Sequence, residues 1–163
     1  MSLPQVVLAD LQNKQHADAY LNLMSHYACD PMGGGEDLSA YAKENLISSL
    51  LARHDVSVIL IFIENRPAAL LTAIEGFSTF ACKPLLNIHD VVVHQDFRGK
   101  GLTKLLFKKI EEVAKQQDCC KITLEVLSGN PIACQAYRSL GFSDYQLNPE
   151  FGSALFWTKK LTD

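Results

Sequence analysis

The chain has 163 residues, the length of one ordinary domain, which is enough to bury a hydrophobic core. Hydrophobic residues make up 48% and charged residues 20%, and a net charge of −3 gives no general attraction for nucleic acid. No apolar run reaches the roughly 20 residues that cross a bilayer, so we expect no membrane partner.

The cysteines and the first residues bear on the cellular compartment. The five cysteines are odd in number and contain no C-x-x-C pair, which predicts neither a disulfide framework nor a zinc site. Met1 to Pro4 have neither the basic nor the apolar region of a signal peptide. We therefore expect a cytoplasmic protein with reduced thiols and no metal, folded as a single domain over residues 1–163.

The first part of the chain predicts a short strand and two helices. The strand covers 6–9, and apolar residues then recur at helical spacing over about 11–28. A loop from Pro31 to Asp37, with three successive glycines, ends that helix. The second helix is predicted over about 39–53.

Three strands and a third helix follow. Residues 56–63 form an almost unbroken apolar run, and further strands are predicted over 68–77 and 85–93. Gly76 is a candidate position for a bulge. From Leu102 onwards, apolar residues mark one face of a strongly amphipathic helix.

The last part alternates strand and helix. Residues 121–127 alternate apolar and polar side chains, as in a half-buried strand. Asn130-Pro131 is a cap followed by proline, which indicates a helix start, and Gly141 marks its end. Two last strands, at about 143–147 and 153–160, would close the sheet. This order of elements predicts a mixed α/β fold, a sheet flanked by helices.

The turn before the third helix is the most informative segment. A strand that passes through a tight turn into a helix can leave backbone N–H groups pointing at one spot, where they and the helix dipole attract phosphate oxygens. In the centre, Arg98-Gly99-Lys100-Gly101, glycines permit close backbone approach and the two cations add positive charge. The third glycine of a dinucleotide fingerprint is missing, and no stretch supplies a nucleoside-triphosphate loop. Taken alone, the segment is explained equally well as a plain connection.

Two motifs together carry a resemblance to a known family. The turn has the form D-x-x-G-x-G over 96–101, and a second segment reads N-x-x-A-x-x-x-Y-x-x-x-G-F over 130–142. In this order and spacing they resemble the GCN5-related N-acetyltransferase (GNAT) superfamily, over about 85–142. The superfamily often has Gln or Arg where this chain has Asp96, which affects a side-chain contact and leaves the backbone donors in place.

The resemblance implies a fold and a cofactor. It implies a central mixed sheet of about six to seven strands, flanked by about four helices, in which strands four and five separate to admit acetyl-CoA. The pantetheine arm would pair with the strand-four backbone, and the pyrophosphate would lie on the turn. The cofactor-binding residues implied are Val91, Val92, Val93, Arg98, Gly99, Lys100, Gly101, Leu102, Thr103, Asn130, Ala133 and Tyr137. Core packing of the valines and helix capping by Asn130 are compatible with these roles.

Four residues are candidates for the chemistry. The resemblance makes Tyr137 the general acid that protonates the leaving thiolate, although without the motif a core tyrosine would explain it better. An alkylamine is mostly protonated near neutral pH and needs a base, for which His89, Asp90 and Glu75 are candidates. Because adjacent strand residues face opposite sides, His89 and Asp90 cannot share a pocket without a bulge. A structural, hydrogen-bonded histidine explains His89 equally well.

The acceptor is predicted to be a small amine. His89-Asp90 and the valines after them look like the diamine acetyltransferase branch, which has Glu-Asp at these positions. We therefore expect direct transfer of an acetyl group to a polyamine-like or amino-acid-like primary amine, guided by Glu36, Asp37 and Glu75. The glycine-rich loop is explained equally well as a mobile connector. The alternatives are acetylation of a protein lysine or N-terminus, and a non-catalytic acyl-CoA-binding sensor. The resemblance is also compatible with a homodimer.

Overall fold

The computed structural model describes residues 3–161. The described residues fall into two compact units, which divide between Leu124 and Glu125. The first unit contains a sheet and three α-helices, and the second contains one α-helix. In chain order the elements are β1 (Gln5–Leu8), α1 (Lys14–Cys29), α2 (Ala40–Leu51), β2 (Val56–Ile63), β3 (Arg66–Ser78), β4 (Lys83–Val93), α3 (Leu102–Gln116), β5 (Ile122–Leu124) and α4 (Pro131–Ser139).

The sheet of the first unit is mixed, as predicted. Its five strands lie in chain order from β1 to β5; neighbours are antiparallel except β4 and β5, which are parallel. A two-residue turn joins β2 to β3, and both of its residues, Glu64 and Asn65, have positive φ angles of 51° and 61°. Two such residues form the type I′ turn, whose twist matches that of a β-hairpin.

Helices α1 and α3 cover the two faces of this sheet. One face buries Val58, Leu60, Leu70 and Val92 against Tyr20 and its neighbours on α1. Because strand residues alternate in direction, the fully buried residues between them, such as Ile59 and Leu71, face the other side. Helix α3, which contacts β1, β2, β3 and β4, lies there. Strands β2 and β3 are therefore apolar on both faces, which explains their nearly unbroken hydrophobic sequence.

The ladder between β4 and β5 is short. It joins Leu86–Ile88 to Ile122–Leu124, whereas β4 continues to Val93. The last five residues of β4 thus lie beyond the β5 pairing, so the predicted separation of strands four and five begins at His89.

Three details differ from the sequence prediction. The two last strands, at 143–147 and 153–160, are wrong: the backbone there is not strand, and a 3₁₀ turn at Pro149–Phe151 lies between the two segments. The sheet therefore has five strands in the described residues instead of six to seven. Gly76 does not form a bulge, since it pairs regularly with Leu85.

Candidate functional site

A bulge in β4 lies where the base was predicted. Ala73 of β3 pairs with Ile88 and its neighbour Thr72 pairs with Asp90, so that His89 is the extra residue between two pairs. A bulge of this kind redirects side chains locally and is common beside active sites. It meets the condition under which His89 and Asp90 can approach the same pocket. His89 is exposed and Asp90 is partly buried.

Asp90 belongs to a buried polar chain that links three elements. Asp90 is the cross-strand partner of Thr72 on β3, and the Thr72 hydroxyl group favours the ionised form of its carboxyl group. The Thr72 Oγ1 atom lies 3.1 Å from the Tyr20 hydroxyl of α1. Both supporting residues are almost fully buried, at 3% and 2% exposure. We call Tyr20, Thr72 and Asp90 the buried polar chain.

Burial dominates the ionisation of this chain. It raises the pKa of the Asp90 carboxyl above its ordinary value, against the opposing effects of the Thr72 hydrogen bond and of His89. It also raises the pKa of Tyr20 to about 12. The pKa of Tyr27, on the same helix, is raised by burial first and then by Asp90. Asp90 is thus a carboxylate that retains its proton more strongly than an exposed one, which is a property of catalytic bases.

The turn after β4 leads into α3, and its two glycines have a backbone conformation that other residues rarely adopt. Gly99 and Gly101 have φ angles of 76° and 73°, a left-handed conformation that favours glycine. A Cβ atom at either position would meet nothing within 4 Å, so these glycines are required by conformation. Gly101 is the N-cap of α3 and makes no side-chain capping bond. The first N–H groups of a helix have no intrahelical acceptors, so this terminus suits an anion.

The charged side chains of the turn bind other protein groups. The Arg98 guanidinium lies 2.8 Å from the Asp30 carboxylate, and its Nε donates to the Val93 carbonyl at 3.2 Å. Asp96, where the superfamily often has Gln or Arg, pairs with Arg66 at 2.7 Å. The hydrogen bonds from Arg98 and Arg66 are the main reason why the pKa values of Asp30 and Asp96 are lowered. These four residues are called the turn ion pairs.

Two histidines stack beside the turn ion pairs. The rings of His26 on α1 and His94 after β4 have centroids 4.3 Å apart and are inclined by 24°. Burial lowers the pKa of His26, and His94 and Arg98 lower it further. The stack packs the end of α1 against the start of the turn.

The predicted acceptor residues are dispersed. Glu36 and Asp37 are exposed in the α1–α2 loop, and Asp37 pairs with Lys43 at 2.5 Å. The Lys43 hydrogen bond lowers the pKa of Asp37. Glu75 is three residues beyond Thr72 on β3, and strand alternation therefore places it on the opposite face of the sheet.

The second unit contains the other half of the sequence motif. The Asn130 Oδ1 atom accepts a hydrogen bond from the Ala133 N–H at 3.1 Å and caps α4. The Tyr137 ring lies edge-on to Phe142, with centroids 6.3 Å apart. Gly141, with a φ of 91°, ends the helix. The capping role of Asn130 is thus present, and Tyr137 is a half-buried residue of α4.

Sequence reasoning missed Tyr20 and Thr72. Thr72 is a polar residue inside an otherwise apolar stretch of β3, and Tyr20 is a phenol on the apolar face of α1. Each residue could have been noticed in the sequence, because a polar group among apolar residues is expected to be buried and to need a hydrogen-bond partner. Their contact joins residues 52 positions apart and does not follow from local spacing.

Comparison with known proteins identifies the family. The model of the acetyltransferase (GNAT) family matches residues 20–142, three quarters of the chain. The chain belongs to this family. The matched GNAT segment contains the buried polar chain, the turn and the α4 motif.

Individual relatives agree with this assignment. Thialysine N-epsilon-acetyltransferase of Bos taurus is 35% identical over 59 residues, so the match spans only 36% of this chain and 35% of the bovine protein. The uncharacterized N-acetyltransferase ycf52 of Porphyra purpurea is 30% identical over 131 residues, 79% of this chain and 67% of that protein. The solved structure of a probable acetyltransferase has a TM-score of 0.80 at 18% identity and covers 98% of this chain and 99% of its own.

GNAT membership confirms the predicted family and the mixed α/β fold class. Within residues 3–161, no helix is both long and apolar enough to span a membrane.

Proposed function

We propose that this GNAT protein is an acetyl-CoA-dependent N-acetyltransferase that transfers an acetyl group directly to a primary amine. The observation that carries the proposal is Asp90, a partly buried carboxyl group with a raised pKa beside the β4 bulge. It lies only a few residues before a left-handed glycine turn that opens a helix. A base and an anion-binding terminus are thus presented by one continuous segment.

The backbone of β4 supports the proposed position of the pantetheine arm. The His94 N–H donates to the Ala68 carbonyl of β3 at 2.9 Å. Because backbone groups alternate between the two sides of a strand, those of Val91 and Val93 point away from β3. They point to the side on which the β5 ladder has ended at Ile88. An amide of the cofactor could pair there as an added strand, and at Val93 it would replace the Arg98 contact.

The α3 terminus is the proposed pyrophosphate site. Backbone N–H groups around Gly101, Leu102 and Thr103 would bind the phosphate oxygens, helped by Lys100. Val92 supports this segment from the core, where it is 3% exposed. Arg98 can join the phosphates only by leaving Asp30.

Proton transfer is assigned to two groups of the chain. Asp90 accepts a proton from the ammonium form of the acceptor, and the free amine then attacks the thioester carbonyl carbon. As the new C–N bond forms and the C–S bond breaks, the excess proton on nitrogen passes to solvent and Tyr137 donates its own to the thiolate. The role of Tyr137 rests on the sequence motif, which matches with Asn130, Ala133 and Gly141 in place.

The acceptor is proposed to be an amino-acid-like or polyamine-like amine. The name of thialysine N-epsilon-acetyltransferase describes acetylation of a side-chain amine on an amino acid. A carboxylate base in a partly buried setting favours a cationic acceptor. All five cysteines are free thiols, which supports the proposed cytoplasmic location, and a homodimer stays a prediction.

The proposal is tested by mass spectrometry of acetylated products. The full chain is incubated with acetyl-CoA and a panel of polyamines, amino acids, aminoglycosides and short peptides. Acetylation of a small amine supports the proposal, whereas acetylation of peptides alone indicates a protein acceptor. Binding of acetyl-CoA without any product would contradict the enzyme and favour a sensor.

Two variants separate the proposed acid and base. We expect Tyr137→Phe to lower kcat by about 10- to 100-fold while the Kd for acetyl-CoA is unchanged. Tyr145→Phe, in an exposed position of the same unit, is the matched control. His89→Ala should keep the acidic limb of the pH–rate profile; loss of that limb would make His89 the base instead of Asp90.

A further inference from the structure

Tyr20 lies outside the β4 segment, yet it is connected to the proposed base. Its hydroxyl is 3.1 Å from Thr72 Oγ1, and Thr72 is the cross-strand partner of Asp90, whose ionised form its hydroxyl group favours. Tyr20 is on α1, Thr72 on β3 and Asp90 on β4. The buried polar chain therefore extends from helix α1, through the central strand β3, to the bulge in β4.

The number of hydroxyl protons in the buried polar chain determines which group donates and which accepts each hydrogen bond. An ionised carboxylate only accepts hydrogen bonds, so Thr72 must donate its single hydroxyl proton to ionised Asp90. The Thr72 oxygen is then left as an acceptor, and the Tyr20 O–H is the group that donates to it. When Asp90 carries a proton, this constraint is removed and the hydroxyl groups can turn. The arrangement in which every donor points towards β4 is thus required when Asp90 is ionised and is one of several when Asp90 carries a proton.

We infer that Tyr20 is a positioning residue that acts through Thr72 to stabilise the ionised form of Asp90. This inference rests on the proposed function, in which Asp90 is the base. A donor to Thr72 polarises its O–H bond and strengthens the next hydrogen bond, an effect that is enhanced by a low local dielectric constant. It opposes the effect of burial, which favours the protonated form of Asp90, the form that cannot accept a proton from the amine.

Few other titratable groups bear on Asp90. They are Tyr20 and Tyr27 on α1 and His89 on β4, and Thr72 is the neutral group between the strands. Tyr20 remains a donor across the working pH range, since its pKa is raised to about 12. Of these groups, Tyr20 is the one whose hydroxyl reaches Asp90 through Thr72.

The test measures the Asp90 pKa directly. The full chain, with ¹³C-labelled aspartate, is titrated by NMR, and Asp90→Asn assigns the resonance. We expect Tyr20→Phe to raise the Asp90 pKa by about half a pH unit, and Thr72→Val by about one unit or more. Thr72→Ser, which keeps the hydroxyl, should restore the parent value. Tyr41→Phe, on exposed α2, is the matched control and should change nothing.

The same shifts are expected in activity. The acidic limb of the pH profile of kcat/KM should move upwards with Tyr20→Phe, and activity should recover at higher pH. A tyrosine that only supports the fold would lower the melting temperature and leave this limb in place. An unchanged Asp90 pKa in folded Tyr20→Phe overturns the inference; if that variant does not fold, an unchanged value in Thr72→Val does so.

The two proposals can fail separately. If the NMR pKa values move as expected but no amine is acetylated, Tyr20 still sets the ionisation of Asp90 and the proposed function is wrong. If amines are acetylated and the pKa values do not move, the enzyme stands and the inference about Tyr20 is wrong.

Discussion

The buried polar chain and the turn ion pairs both connect the α1 side of the first unit to the end of β4, but in opposite environments. Tyr20 and Thr72 are almost fully buried, and burial raises the pKa of Asp90. Asp30 and Asp96 pair with arginines whose side chains are 57% and 60% exposed, and their pKa values are lowered. The pKa of aspartate is therefore raised in one of these regions and lowered in the other.

The difference teaches which of these contacts can support catalysis. An exposed ion pair is screened by water and salt, and it stabilises an aspartate that is already ionised at neutral pH. In a buried carboxyl group, burial favours the protonated form and hydrogen bonding favours the ionised form, so its pKa depends on both. The protein thus has its proposed proton-transfer group in a buried region and its exposed ion pairs at the turn proposed to bind the cofactor.

The largest effect is expected from Asp90→Asn. Removal of the base should lower kcat/KM by about 100-fold or more, measured with the preferred amine. Asp118→Asn, which disrupts an exposed pair with Lys83, is the control and should leave activity unchanged. If Asp90→Asn keeps its activity, Asp90 is not the base and the buried polar chain has no role in catalysis.

The same variant should be more stable than the parent at neutral pH. The folded-state pKa of Asp90 is raised, so its contribution to stability is complete below the unfolded-state pKa and is lost as the pH rises through the folded-state value. Asparagine avoids that loss. Melting temperatures should therefore differ most near neutral pH and converge in acid; a parent that is more stable at neutral pH contradicts the burial argument.

The next effect concerns the backbone of the turn. Gly101→Ala places a side chain at a φ of 73°, which destabilises the fold by about 1–2 kcal/mol and distorts the N-terminus of α3. Acetyl-CoA affinity should fall by about tenfold or more, as expected when charge-assisted hydrogen bonds are lost. Gly35→Ala, at a φ of 79° with open space around it, is the matched control. Equal loss of affinity in both variants would show a general effect of strain.

The two regions also differ in how far the sequence predicts them. The turn is local: its glycines, its cations and the following amphipathic helix lie close together in the sequence, so the turn was predicted, whereas the left-handed conformation of its glycines was not. The buried polar chain is assembled from three distant elements, so only Asp90 was identified beforehand. The bulge at His89 depends on the register of β3 against β4, and register is a tertiary property.

The second unit shows the limit of local pattern. The α4 motif was predicted well, because its cap, proline and glycine are adjacent in sequence. Residues 143–147 and 153–160 are predicted as strands that close the sheet, yet a strand requires a partner ladder. The Ala154 N–H donates to the Tyr145 carbonyl at 3.1 Å, and Gly152 has a left-handed φ of 78° between them. One such bond beside an irregular turn does not form a sheet.

A smaller effect is expected from Asp30→Asn, which sharpens the comparison at the turn. The substitution removes the charge that holds Arg98, so the guanidinium becomes available to an anion at the α3 terminus. We expect the Kd for acetyl-CoA to decrease about two- to fivefold at low salt and this gain to disappear at high salt. Asp37→Asn, whose carboxylate pairs with Lys43, is the control and should not change the Kd. Weaker binding by Asp30→Asn would mean that the pair orders the turn.

The smallest effect is expected at Asp96, the departure from the superfamily pattern. The Arg66 hydrogen bond lowers its folded-state pKa, so the contribution of Asp96 to stability is present above the unfolded-state pKa and is lost as the pH falls through the folded-state value. Asp96→Asn should therefore melt slightly below the parent at neutral pH and together with it in acid, the reverse of Asp90→Asn. Because the pair is exposed, the difference should also shrink in high salt, which it should not do at Asp90. Opposite slopes for two aspartates six residues apart would establish that burial at Asp90 and ion pairing at Asp96 distinguish the two regions; parallel slopes would contradict that distinction.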